Sequence, residues 1–71
     1  MQIHSASRPV ADRRAALGIT QAQLSERAGI NIRQVQKIER GEIAIGNLTF
    51  RNAARLAAAL EISLDDFAAC I

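Results

Sequence analysis

The sequence predicts an all-α domain of five short helices, and three observations carry that reading. Helix-start signatures recur at Thr20, Asn31 and Ser63, and glycines at 18, 29 and 41 each close a run of helix formers. Phe50 and Phe67 are the only aromatic residues, and the few β-branched residues are scattered without a strand-like alternation. With 71 residues there is enough chain for one small core and too little for two. We therefore expect a flexible N-terminus over residues 1–7 and a single domain over 8–71.

The first helix is expected from about Arg8 to Leu17, within SRPVADRRAAL. Pro9 falls in its first turn, where a missing N–H does no harm, and Gly18 can take the left-handed conformation that stops it. The second helix starts at a capping box of Thr20 and Gln23, stapled by Ile19 and Leu24, and ends at Gly29. The same design returns at Asn31 and Gln34, stapled by Ile30 and Val35, for a third helix that ends at Gly41. After it, GEIAIGNL carries a Gly46-Asn47 turn signal and alternating Ile43 and Ile45, which predicts a short extended loop.

Between Thr49 and Leu60, the residues Phe50, Ala53, Leu56, Ala57 and Leu60 keep the three-and-four spacing of one buried stripe, which makes a fourth helix. The fifth begins at Ser63 and Asp66, stapled by Ile62 and Phe67. Asp65 and Asp66 then lie in its first turn, where the helix dipole favours negative charge.

Composition narrows the function. Net charge is +2, but residues 1–45 carry seven Arg or Lys against four Asp or Glu, whereas residues 46–71 carry two against three. The positive excess belongs to the first half, as expected if that half meets a polyanion, although a solvated mixed-charge surface gives similar numbers. Cys70 has no disulfide partner, and nothing around His4 offers metal-ligand spacing, so neither staple is available and a reducing cytoplasm is the expected compartment. No signal-peptide pattern or apolar run of about 18 residues is present, so no membrane association is expected. One His, one Cys near the end, no glycine-rich phosphate loop and no paired carboxylates with an evident pocket argue against an enzyme, and no metal or cofactor is expected.

Thr20 to Arg40 thus reads as helix, Gly29-centred turn, helix: a helix-turn-helix over about residues 20–40, with Leu24, Val35 and Ile38 inward. Ser25 and Ala28 keep the first of these helices slim where the second crosses it. At about 100° per residue, with Ile32 at zero, Val35 and Ile38 fall near about 300° and 240°. On that wheel Gln36, Arg40, Arg33 and Lys37 span about 40° to 140°. This face contains no carboxylate, and its residue types suit the DNA major groove, where Arg or Lys pairs with guanine and Gln with adenine. Glu39, at about 340°, points toward the core side and needs a partner there.

The stretch GITQAQLSERAGINIRQVQKIERGE resembles the helix-turn-helix of the Xre/Cro family of phage-repressor-like DNA-binding proteins, and NLTFRNAARLAAALEISLDDF resembles that family's fourth and fifth helices. The resemblance runs from about Val10 to Phe67. It implies a compact five-helix domain of the lambda-repressor-like type that binds double-stranded operator DNA, commonly as a two-fold homodimer. It also implies phosphate binding by Gln21, and base reading by Ile32, Arg33, Gln36 and Lys37. Arg33 and Lys37 have phosphate contact as an alternative role, and Arg40 joins Gln21 as a phosphate-binding candidate. For Ile32 a thymine methyl and the protein core are equal alternatives. Arg14 and Glu39 match a family pair that ties the first helix to the recognition helix.

Two departures from the family pattern stand out. The loop GEIAIGN has no basic residue, and Glu61 stands where the family usually has glycine, which implies a strained helix stop. Phe67, Cys70 and Ile71, with Ile43 or Ile45, are candidates either for a dimer surface or for completing the core. The expected function is a sequence-specific transcriptional regulator, most simply a repressor acting on a palindromic operator. The competing expectation is an antitoxin-like or adaptor module that uses the fold to hold a protein partner, such as a toxin or another regulator.

Overall fold

The computed structural model describes residues 8–69, without the side chains of residues 8, 9 and 45. The N-terminal segment 1–7, Cys70 and Ile71 lie outside the described residues. Five α-helices follow in order: α1 (Arg8–Ala16), α2 (Gln21–Ala28), α3 (Ile32–Glu39), α4 (Phe50–Ala59) and α5 (Leu64–Ala69). There is no strand among the described residues.

Local chemistry accounts for most of the boundaries. At the start of α2 the Thr20 hydroxyl accepts from Gln23 N at 3.0 Å while the Gln23 side chain accepts from Thr20 N at 2.8 Å, a reciprocal box that satisfies two donors. Thr49 and Ser63 cap α4 and α5 by accepting from the backbone N–H three residues on. At α3 the expected box with Gln34 does not form. Asn31 Oδ1 instead accepts from Arg33 N at 2.8 Å, and Gln34 N donates to the Asn31 carbonyl. The short Asn side chain closes the turn two residues on, a geometry that asparagine favours.

The stops of α3 and α4 share one design. After α3, Gly41 N donates to Ile38 O and Glu42 N to Lys37 O, the paired bonds of a Schellman turn, with Gly41 at φ 81°. The same pair of bonds ends α4 at Ala58 and Ala57, but there the left-handed residue is Glu61, at φ 60°. A side chain at that φ is strained by about 1–2 kcal/mol relative to glycine. Help comes from a distance: Arg13 on α1 donates through Nε to the Leu60 carbonyl at 2.8 Å. The last turn of α4 has no basic residue of its own, so a neighbouring helix supplies the cation that its carbonyls favour.

Val10, Leu24, Val35, Ile38, Leu56, Leu60 and Phe67 are fully buried, one or two from each helix with Leu60 at the C-terminal cap of α4. No helix this short hides a face alone; α2 packs on α3 and α4, α4 on α5, and α1 on α3. Phe67 therefore completes the core, and Ile43 packs against its edge.

Two further expectations need correction. Phe50 is 75% exposed, not part of the buried stripe. With Phe50 at zero, Leu56, Leu60, Ala53 and Ala57 span about 240° to 340°, so Phe50 lies past the edge of that arc on the first turn of α4. The segment expected to be extended contains a single 3-10 turn, Ile45–Asn47, in which Asn47 N donates to the Ala44 carbonyl. Gly46-Asn47 is a turn signal, and the short chain between Gly41 and Thr49 is satisfied by that one turn.

Candidate nucleic-acid interface

The second helix of the pair, α3, is held by one of its own residues. Glu39 sits on the side of α3 that meets α1, with its side chain only 6% exposed. Arg14 approaches it side-on, with Nε 2.7 Å from Oε2 and Nη2 3.0 Å from Oε1. Arg14 Nη1 also donates to the Ile19 carbonyl at 3.0 Å, and Gln21 Nε2 donates to Glu39 Oε1 at 2.9 Å. One carboxylate thus receives three donors and joins α1, the start of α2 and the end of α3. The contact holds the Arg14 guanidinium above its ordinary pKa, mainly through the hydrogen bond to Glu39 and against a smaller opposing effect of burial.

Gln21 therefore has a structural engagement that the sequence did not reveal. Its amide carries two hydrogens, of which Glu39 takes one. Residue spacing from 21 to 39 gives no signal for such a contact.

With Val35 and Ile38 fully buried, the opposite side of α3 is turned to solvent. Arg33, Lys37 and Arg40 are exposed there and Gln36 is half-buried, so the four polar residues expected on one face do share it. Arg33 and Lys37 also line an open groove of about 320 Å³ with Asn31, Gln34 and Ile43. Gln34 was expected only as part of a cap; at about 200° on the wheel it lies next to Lys37, and that position was the available signal.

Ile32 is 37% exposed, so it does not close over the core. It lies on the other flank of α3, in a second open groove shared with Ala22, Gln23, Ser25 and Glu26 of α2. The turn between the helices is kept tight by Gly29 at φ 67° and by the Ser25 hydroxyl, which donates to the Ile30 carbonyl. Arg40, at the C-terminal end of the face, carries an ion pair with Glu42, Nε to Oε2 at 2.7 Å. The hydrogen bond raises the Arg40 pKa and lowers that of the Glu42 carboxyl.

Among the described residues there is no cluster of His, Cys, Asp or Glu that could hold a metal ion, and no helix is long and apolar enough to cross a membrane.

Two short helices joined by a tight turn, the second with a buried apolar side and an exposed Arg, Gln and Lys side, define a helix-turn-helix protein. The chain belongs to the helix-turn-helix family of Xre/Cro type, whose family model, described as "Helix-turn-helix", matches residues 10–67. It is 40% identical over 57 residues to the transcriptional repressor RstR of the cryptic phage CTXphi in Vibrio cholerae serotype O1 (strain ATCC 39315 / El Tor Inaba N16961). That match covers 80% of this chain and 48% of the relative, so the chain spans about half the length of the curated relative it matches. The fold is similar to the crystal structure of the restriction-modification controller protein C.AhdI from Aeromonas hydrophila, with a TM-score of 0.79 and 27% identity. The alignment covers 89% of this chain and 91% of that one.

Proposed function

We propose that this chain is a sequence-specific DNA-binding transcriptional regulator of the repressor type, acting in the cytoplasm and reading a palindromic operator as a homodimer. The observation that carries the proposal is the face of α3, where Arg33, Gln36, Lys37 and Arg40 stand together on a helix anchored by Val35, Ile38 and Glu39. A phage repressor among the relatives supports the same reading.

In the proposed complex α3 enters the major groove. Gln36 has the amide that pairs with adenine N6 and N7, while Arg33 and Lys37 offer donors to guanine O6 and N7 or to phosphates along the groove. Ile32 is exposed enough to touch a thymine methyl. Gln21, at the first position of α2, brings its second amide hydrogen and the unpaired N–H groups of that helix end toward a phosphate. Arg14 does not touch DNA; with Glu39 it sets the angle of α3. One α3 spans too few base pairs to select a genomic site, which is the physical reason for a second copy reading a half-site about 10 bp away.

Selection from random duplex DNA followed by sequencing tests the proposal. A two-fold symmetric enriched site is the expected result, and no enrichment at low salt overturns it.

A further inference from the structure

The exposed face of α3 has no carboxylate in its own sequence, yet the fold brings one to it. After Gly41 the chain doubles back, and Glu42 N donates to the Lys37 carbonyl at 2.8 Å, which holds residue 42 beside the last turn of α3. From there Glu42 Oε2 reaches 2.7 Å from Arg40 Nε, and Lys37 is the second cation whose field acts on it. Both partners of the pair are exposed to solvent. The carboxylate engages the guanidinium as a phosphate oxygen does, through a charge-assisted N–H···O bond.

We propose that Glu42 is an internal competitor for DNA phosphate at Arg40, and that it sets the affinity of the domain for any duplex. The inference rests on the DNA-binding reading and deepens it. A phosphate can take Arg40 only by displacing Glu42, and the displaced carboxylate stays tethered beside the same polyanion. Both effects weaken binding to all sequences alike, so a single domain holds non-specific DNA poorly and the base contacts of α3 supply a larger share of the affinity, while the ratio between sequences is unchanged. An exposed ion pair of this kind contributes little to folding, so its consequence lies in binding.

The experiment measures binding of the full chain to a short random-sequence duplex by fluorescence anisotropy across a salt series. Glu42→Gln keeps the backbone bond to Lys37 and removes only the charge. It is expected to tighten binding about two- to fivefold at low salt and to steepen the plot of log K against log[salt] by about one unit. Adding Arg40→Gln to that variant is expected to abolish the gain. Asp65→Asn on α5 makes the same change in net charge and is expected to leave the slope as it was.

Unchanged or weaker binding by Glu42→Gln overturns the proposal, and so does a gain that survives loss of Arg40 or is matched by Asp65→Asn. If neither the native chain nor Glu42→Gln binds duplex at the lowest salt, the regulator reading itself falls and takes this one with it. Binding that is intact but indifferent to Glu42 removes this inference alone.

Discussion

Arg14 and Glu39 meet side-on across 25 positions of sequence, two parallel hydrogen bonds of 2.7 and 3.0 Å joining α1 to α3. Because Glu39 is 6% exposed and Arg14 21%, loss of one partner strands the other's charge in a partly dry site. Either Arg14→Ala or Glu39→Ala is expected to cost about 1–3 kcal/mol, with the double variant close to the worse single one. Chemical denaturation of all four proteins measures this. Simple additivity of the two losses would show that the pair does not couple the helices.

On the exposed side of α3 the expected effects are the reverse. Arg33→Ala and Lys37→Ala remove no buried contact, so thermal stability is expected to change by less than about 0.5 kcal/mol. DNA affinity is expected to fall, and each variant to flatten the salt dependence by about one unit if the residue grips a phosphate. A residue that reads a base should instead relax preference at one operator position while costing about 1–3 kcal/mol. If both variants bind DNA as the native chain does, α3 is not the reading helix, and the protein-interaction function becomes the better account.

The end of α4 gives a stabilising substitution. Glu61 occupies φ 60°, where a side chain is strained, and its ion pair with Arg27 is long, 3.5 Å, and exposed. Relief of about 1–2 kcal/mol of strain is set against about 0.5–1 kcal/mol for the added freedom of the unfolded chain and a few tenths for an exposed pair this long. Glu61→Gly is therefore expected to stabilise the domain by up to about 1 kcal/mol, read as a higher Tm. A lower Tm would mean that the side chain contributes more through Arg27 than its geometry suggests.

The Arg40–Glu42 pair has a pH signature. Hydrogen bonding to Arg40 holds the Glu42 carboxyl below its ordinary range, with Lys37 adding to the effect. A folded-state pKa below the unfolded value means that the pair's contribution is complete above the ordinary glutamate pKa of about 4.3 and is lost as pH falls through the lowered folded value. An NMR titration should place the Glu42 midpoint below that of an ordinary glutamate, and Arg40→Gln should move it back up. A normal midpoint in the native chain would show that the pair is not populated in solution.

Much of the fold was legible because its signals are local. Thr20 reaches Gln23 and Ser63 reaches Asp66 within one turn of chain, so helix starts follow from residues three apart. Gly18, Gly29 and Gly41 all take positive φ, as their positions after helix formers require. The apolar side of α3 followed from periodicity, and so did the shared face of Arg33, Gln36, Lys37 and Arg40. Periodicity failed at Phe50 because spacing does not say where along a helix its packing partners begin. It was silent on Gln34 only because the capping signature offered a sufficient explanation.

What the sequence by itself determined is the set of helices, their stops and the polar character of the second helix of the pair, since each depends on neighbours within about one turn. Tertiary structure decided what those residues are free to do. It committed Gln21 to Glu39, sent Arg13 across 47 positions to the Leu60 carbonyl, left Phe50 in solvent, and brought Glu42 against Arg40 on a face that its own helix keeps free of negative charge. The physical reason is distance. Capping bonds close within a few residues and leave a pattern in the chain, whereas a salt bridge or a buried face needs groups that meet only after the helices pack.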